Sequence, residues 1–408
     1  MTGDGGLPHE GRTAGVWSRR QGRGEVIETV DTSEAETEQV IAAPAAVLGQ
    51  WSKQPQLGVR VLTGGRFVVT DPRLARTVLK STTEPLRAES APFGEIPGWV
   101  PGSAPGRPAT VAMAAAIESA VQATSPDRMD ELLTEVLAGA TPWPAAAGEL
   151  CLRLVVPQVL PNTGEQLIAR YTRSLAALAG QAHDRSRVTR WKSRLAHSRT
   201  LSGLYGELSR IGPGHELVDA LRAVLGSEDE VTLAVDGMIG AACRAMSGAL
   251  SWSLLLRAGW TPQTPAGTVL QVPPVPAGDP VREALRLWPP AWLLHRDVRQ
   301  PVEIGDRKAE PGDHVFICTY LMHRRPEIWA DPDSYRPERW IDPPERYRDA
   351  YLPFGVGAAA CVGAGFVTDL SARFHALGGL VGAEVRMIGT TPVMGPLCDP
   401  PQFVVSPG

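Results

Sequence analysis

The sequence contains no CxxC pair; its five cysteines stand singly at positions 151, 243, 318, 361 and 398. That spacing argues against a zinc ribbon or a disulfide framework and fits a reducing, cytoplasmic setting. No apolar run reaches the ~18 residues that a membrane span needs. The opening MTGDGGLPHEGRTAGVWSRRQ lacks the apolar core of a signal peptide. A net charge of −4 offers no basic surface for broad nucleic-acid binding. No internal repeat is visible. What is present is 43% hydrophobic and 21% charged, the composition of a globular chain able to bury a large core. Residues 1–35 are polar and glycine-rich and are expected to form a flexible N-terminal segment.

The local patterns are mostly helical. Val59 to Thr70 reads as two strands around Gly64-Gly65, and Asp71-Pro72 starts a helix. Pro108 to Thr124 is a nearly uncharged helix, with Arg107 at its start. Residues 147–212 form arginine-bearing helices whose charges read as solvated faces. Residues 231–258 make the longest apolar helical pattern, interrupted by Asp236 and Arg244. The prolines between Gly259 and Pro280 exclude a long helix there.

The most informative stretch is Tyr351 to Gly365, YLPFGVGAAACVGAG. Gly355 and Gly357 permit a tight turn. Gly363 follows Cys361, and a helix start just beyond it would favour a negative sulfur. Phe354 would cover that sulfur. A lone cysteine among alanines is also the pattern of a small buried hydrophobe. Gly355 to Ala360 matches G-x-G-x-x-A as well. It lies too near the C-terminus for a following βαβαβ unit, and the expected acid about twenty residues on is absent.

Upstream stand Glu283-Ala-Leu-Arg286, Pro289-Pro290, His295-Arg296 and Tyr335-Arg-Pro-Glu-Arg-Trp340. Their order and spacing, ending in the cysteine loop, resemble the cytochrome P450 family, strongly over Val281 to Gly365. The resemblance implies a mainly α fold with small β-sheets, as a single haem domain over residues 36–408. It implies haem b as cofactor, with Cys361 as the iron ligand. It makes Glu283, Arg286 and Arg339 a buried network on the proximal side, and Arg296 a partner of a haem propionate.

Aligning Gly240-Ala241 with the family's central-helix kink puts Cys243 and Arg244 where relatives carry an acid and an alcohol that guide protons. Cysteine is a weak donor and arginine stays protonated, so oxygen activation is expected to be atypical. Ser247, or a substrate hydroxyl with water, would replace the alcohol. Alternatively, Arg244 would bind a substrate carboxylate, as in peroxide-using relatives, or oxygen activation is lost. Ala359 and the bare helix at 108–124 leave few basic contacts for propionates.

The resemblance further implies an oxidoreductase of the monooxygenase type acting on a small hydrophobic natural product, terpenoid or polyketide-like, in bacterial specialised metabolism. Trp99, Trp292, Leu293, Met394 and Leu397 would line the pocket with Arg244. Electrons would come from a ferredoxin-type donor. The rival expectation is a non-oxidising helper subunit that partners a biosynthetic enzyme, or a peroxide-using or oxidative-coupling variant.

Overall fold

The computed structural model describes residues 27–54, 57–81, 84–88, 107–139, 141–160, 164–183, 186–395 and 397–407. Strand β1 (Thr29–Asp31) comes first. It is followed by α1 (Glu34–Ala42), where the Ser33 hydroxyl accepts from the Glu36 N–H, and by α2 (Pro44–Trp51). Strands β2 (Val59–Leu62) and β3 (Arg66–Val69) form the expected hairpin. Gly64 and Gly65 turn it with φ of 75° and 67°, values that only glycine takes cheaply. β1 pairs parallel to β2, and Ile27 packs on the second core. Residues 27–35 are therefore built into the fold rather than flexible, because a free sheet edge and an apolar anchor are there to hold them.

Helix α3 (Pro72–Lys80) is capped by Asp71, whose Oδ1 accepts from the Leu74 N–H at 2.8 Å. Strand β4 (Leu86–Ala88) follows. Next come α4 (Arg107–Ala123), α5 (Pro126–Ala138), α6 (Ala145–Val159), α7 (Glu165–His183), α8 (Arg187–Leu208) and α9 (Glu216–Arg222). The structure is about 51% helical.

Helix α10 (Glu228–Arg257) is the spine. Ser227 and Glu230 form a reciprocal capping box, and three acids fill the first turn with Arg257 in the last, complementing the helix dipole. It is long and apolar enough to cross a membrane, but 72% of its apolar window is buried against the rest of the protein. As the prolines predict, only β5 (Val269–Gln271) lies between it and α11 (Pro280–Leu287).

The chain continues through β6 (Leu293–Val298), β7 (Val302–Ile304), β8 (Arg307–Ala309), β9 (His314–Cys318), α12 (Thr319–Met322), a 3₁₀ turn at Pro337–Trp340 and α13 (Glu345–Ala350). It ends with α14 (Ala364–Ala376), β10 (Glu384–Met387), β11 (Val393–Met394), β12 (Cys398–Asp399) and β13 (Phe403–Ser406). The main sheet has the order β1-β2-β3-β9-β6-β4; the smaller ones are β13-β10-β5, β11-β12 and β7-β8.

Tryptophans lock the spine to the elements around it. Trp252 of α10 stacks on Trp288 at 4.4 Å between ring centroids and meets Trp260 edge-on at 5.5 Å. Its indole N–H donates to the Cys398 carbonyl at 2.9 Å, tying the β11–β12 hairpin to α10. Trp252 is fully buried. Trp252→Ala is expected to destabilise the protein by about 3–5 kcal/mol, read as a lower urea midpoint. A loss within error would show that the hairpin and α11 do not depend on this stack.

Candidate active site

The cysteine loop has the backbone that its glycines foretell. Gly355 and Gly357 take φ of 68° and 88°. A Cβ on Gly357 would come within 3.1 Å of the Lys80 Cα, so the loop lies against the end of α3. The Cys361 N–H donates to the Phe354 carbonyl at 2.9 Å, closing the turn. Gly363 is the N-cap of α14, which sets Cys361 two residues before the cap. Cys361 is exposed, whereas the other four cysteines are buried. Protein packed around the sulfur pushes the thiol up, and the Gly363 N–H partly offsets this by favouring the thiolate. Phe354 is half-buried and lines a surface groove with Tyr351, Arg282 and Thr368 of α14.

Behind the loop, the Glu283 carboxylate is completely buried. Its Oε1 accepts from Arg286 Nη2 at 2.8 Å, Arg339 Nε at 2.9 Å and the Arg336 N–H at 3.0 Å. Its Oε2 accepts from Arg286 Nε and Trp340 Nε1, both at 3.0 Å. Arg286 spends its remaining donors on the carbonyls of His323, Pro332 and Ser334. Burial pulls the Arg286 pKa down, and the Glu283 carboxylate pulls it back up. The structure thus brings Glu283, Arg286 and Arg339 together.

His323, which sequence reasoning missed, completes the connection. Its Nε2 accepts from the Leu352 N–H at 3.0 Å, at the entrance to the cysteine loop, and its Nδ1 lies 3.1 Å from the Arg286 carbonyl. Those two partners require the neutral Nδ1–H tautomer. Burial holds its pKa down at about 3. A lone histidine ahead of a proline carries no sequence signal for this role.

Arg296 of β6 is buried. Its Nε, Nη1 and Nη2 donate to the carbonyls of Ser81, His295 and Leu79 at 2.8–2.9 Å. Among the described residues no carboxylate pairs with it, and desolvation lowers its pKa to about 10. Three of its five N–H donors are used, leaving capacity for one anion beside the cysteine loop.

On α10, Gly240, Arg244 and Gly248 recur at intervals of four and share one face. A Cβ on Gly240 would meet nothing within 4 Å, while one on Gly248 would touch Pro290 at 3.5 Å. Ala241 is half-buried beside Gly240. Arg244 is also half-buried and has no hydrogen bond or ion pair among the described residues. Cys243 is fully buried, and that burial pushes its thiol well up. Ser247 is not placed to replace the alcohol, because its hydroxyl donates to the Pro144 carbonyl at 2.5 Å, on the side of α6.

The pocket residues converge only in part. The Trp292 indole donates to the Gly395 carbonyl at 2.8 Å, which sets it against the hairpin that carries Met394 and Leu397. Leu293 is half-buried and packs on the main core. Trp99 lies outside the described residues, as does the Arg107 side chain.

The comparisons fit this geometry. Residues 279–368 match the family model for cytochrome P450. CYP175A1 from Thermus thermophilus superposes with a TM-score of 0.63 at 17% identity, covering 93% of this chain and 100% of that one. A mutant of P450 EryK in complex with erythromycin B gives 0.59 at 17%, covering 91% and 97%. The chain has the cytochrome P450 fold, and residues 279–368 carry that family's pattern. In sequence, the chain is 41% identical to cyclooctatin synthase of Streptomyces melanosporofaciens over 102 residues, 24% of this chain and 22% of the relative. It is 36% identical to cyclooctat-9-en-7-ol 5-monooxygenase of the same organism over 85 residues, 20% and 18%. These matches span about a fifth of the relatives' lengths.

Two predictions rest on the Glu283 network. Removing one partner of a buried ion pair commonly costs ~3–5 kcal/mol, so Glu283→Ala should yield aggregated or poorly folded protein; a stable variant with native circular dichroism would show that the network is dispensable. The second concerns pH. An unfolded histidine titrates near ~6.5, so as pH falls the unfolded chain takes up the proton before His323 does. The stability tied to neutral His323 is complete above pH ~6.5 and is lost as pH falls toward about 3. His323→Gln should therefore flatten the decline of the urea midpoint between pH ~6.5 and ~4, and an unchanged decline would assign it to other groups.

Proposed function

We propose that this chain is a haem-thiolate oxidoreductase of the monooxygenase type, holding haem b through Cys361 and acting on a small hydrophobic natural product in bacterial specialised metabolism. The observation that carries this reading is the exposed Cys361, on a left-handed glycine turn braced through Leu352 and His323 to the Glu283 network. Arg296 supports it: a buried cation among carbonyls suits a propionate, which would supply the missing negative charge. Gly240 supports it too, since no described residue crowds that point of α10.

When bound, the iron porphyrin supplies the redox centre at which oxygen or peroxide is activated, with thiolate donation to the iron. The residues of this chain do the rest. Cys361 would hold the iron as the thiolate, the form that the Gly363 N–H favours. Phe354 shields the loop, and Arg296 anchors one edge. Ala241 and Gly240 leave room on the opposite side. Trp292, Leu293, Met394 and Leu397 offer an apolar wall for the substrate, with Trp99 assigned to the same pocket from the sequence. A separate ferredoxin-type protein is the proposed electron source.

Arg244 sets this chain apart. A half-buried guanidinium with no partner among the described residues favours an anion, and we assign it to a carboxylate of the substrate. Such a carboxylate could also carry protons, which Arg244 itself cannot. The names of two relatives, one a 5-monooxygenase of a cyclic alkenol, support oxidation of a natural product. The second reading, a non-oxidising helper subunit or a peroxide-using variant, rests on the same Arg244 and on Cys243 in place of the acid–alcohol pair.

Two measurements test these assignments. The reduced, carbon-monoxide-treated protein should show the long-wavelength Soret band of a thiolate ligand, and Cys361→Ala should abolish it. A variant that keeps the band would refute the ligand. Arg244→Leu should weaken binding of a carboxylate-bearing ligand by ~1.5–3 kcal/mol, about ten- to hundredfold, with little effect on a neutral analogue. Equal affinities in both proteins would end the anchor assignment.

A further inference from the structure

Strand β6 carries a second cluster on the face opposite Arg296. His295 and Asp297 project from alternate positions of β6, and His314 stands across from Asp297 on β9. His295 Nε2 lies 3.1 Å from His314 Nδ1, His314 Nδ1 lies 3.1 Å from Asp297 Oδ1, and His295 Nε2 lies 3.3 Å from that same oxygen. These three atoms form a nearly equilateral triangle.

Hydrogen bonding alone does not satisfy the triangle. Each neutral imidazole brings either an N–H or a lone pair to it. If both bring N–H groups, both can bond to Asp297 but then face each other as donors. If only one does, the bare nitrogen of the other faces the carboxylate oxygen. One of the three contacts is unfavourable either way. A cation at the centre of the face removes the conflict, since all three atoms then act as ligands. Bonds of about 2.0–2.1 Å in a tetrahedral site put donor atoms roughly 3.3 Å apart, close to the spacings observed.

The surroundings are those of a supported ligand set. Asp297 is buried, and its other oxygen, Oδ2, accepts from Arg299 Nη2 at 2.9 Å, which orients the carboxylate and leaves Oδ1 turned to the imidazoles. The His295 ring stacks on Phe316 at 4.8 Å. His314 is 42% exposed in its side chain, which leaves a path for an ion and a water. Arg66, in register with His314, turns its guanidinium to the Thr63 carbonyl. Arg87 pairs in register with Asp297 from β4, a positive neighbour that should weaken cation binding.

We propose that His295, Asp297 and His314 form a binding site for one divalent first-row transition ion, zinc above all, that staples β6 to β9. Two imidazoles and one carboxylate, with an outer position open to water, is a donor set that suits zinc. The site lies on the other face of the strand from Arg296 and does not depend on the haem assignment.

The test is calorimetric titration of the chelator-treated, full-length protein as purified with Zn²⁺, alongside His314→Ala and Asp297→Asn. One equivalent should bind to the parent protein, raise its thermal midpoint and be weakened at least tenfold in both variants. X-ray absorption at the zinc edge should then show only nitrogen and oxygen neighbours, two of them imidazole. Should one variant fail to fold, judged by circular dichroism, the other decides the affinity change. The proposal is overturned if no stoichiometric zinc binds, if the folded variant binds as tightly as the parent, or if the zinc has a sulfur ligand.

Discussion

The buried carboxylate of Glu283 is the constraint on which the proximal half of this protein rests. It accepts from Arg286, Arg339, Trp340 and the backbone N–H of Arg336. An ion in this position is tolerable only because every lone pair is used. The same guanidinium that answers Glu283 also binds the carbonyls of three separated loop residues. One short helix, α11, thereby organises a long stretch with little regular structure, and through His323 its order reaches Leu352 and the loop of Cys361. The position of the sulfur is a consequence of polar satisfaction several residues away.

Strand β6 divides the chemistry of the chain by simple alternation. Leu294 packs on the second core and touches the point where Gly355 would carry a Cβ, and Arg296 reaches the carbonyls at the end of α3. His295 and Asp297 look the other way, toward His314. A period of two places an anion-seeking arginine and a pair of metal-type ligands on adjacent residues with their side chains on opposite faces. Among the described residues Arg296 lacks a carboxylate partner, whereas Asp297 is shared by Arg299 and the two imidazoles.

Helix α10 balances openness against anchoring. Its second half is almost entirely buried and gripped by Trp260, Trp288 and the hairpin bonded to Trp252. Its middle turns are small-residue and half-open, with Gly240, Ala241 and an Arg244 that has no partner among the described residues. The rigid part holds the open part in place, which a pocket of defined shape requires.

Much of this was legible in the sequence. Glycine at 355 and 357 announced left-handed turns, Asp71-Pro72 a capped helix, Gly64-Gly65 a hairpin, and the prolines after Gly259 a missing helix, because each acts through local backbone geometry. Glu283 and Arg286, one turn apart, and Arg339 in its own motif were readable as partners through the family likeness. The rest depended on tertiary contacts. The order of residues 27–35 came from a free sheet edge, and the role of His323 from two backbone groups remote in sequence. The side to which Ser247 turns was decided by the Pro144 carbonyl, and the meeting of His295 and Asp297 with His314 by strand register. Local conformation is encoded residue by residue, but which polar groups answer one another is decided only when distant segments pack.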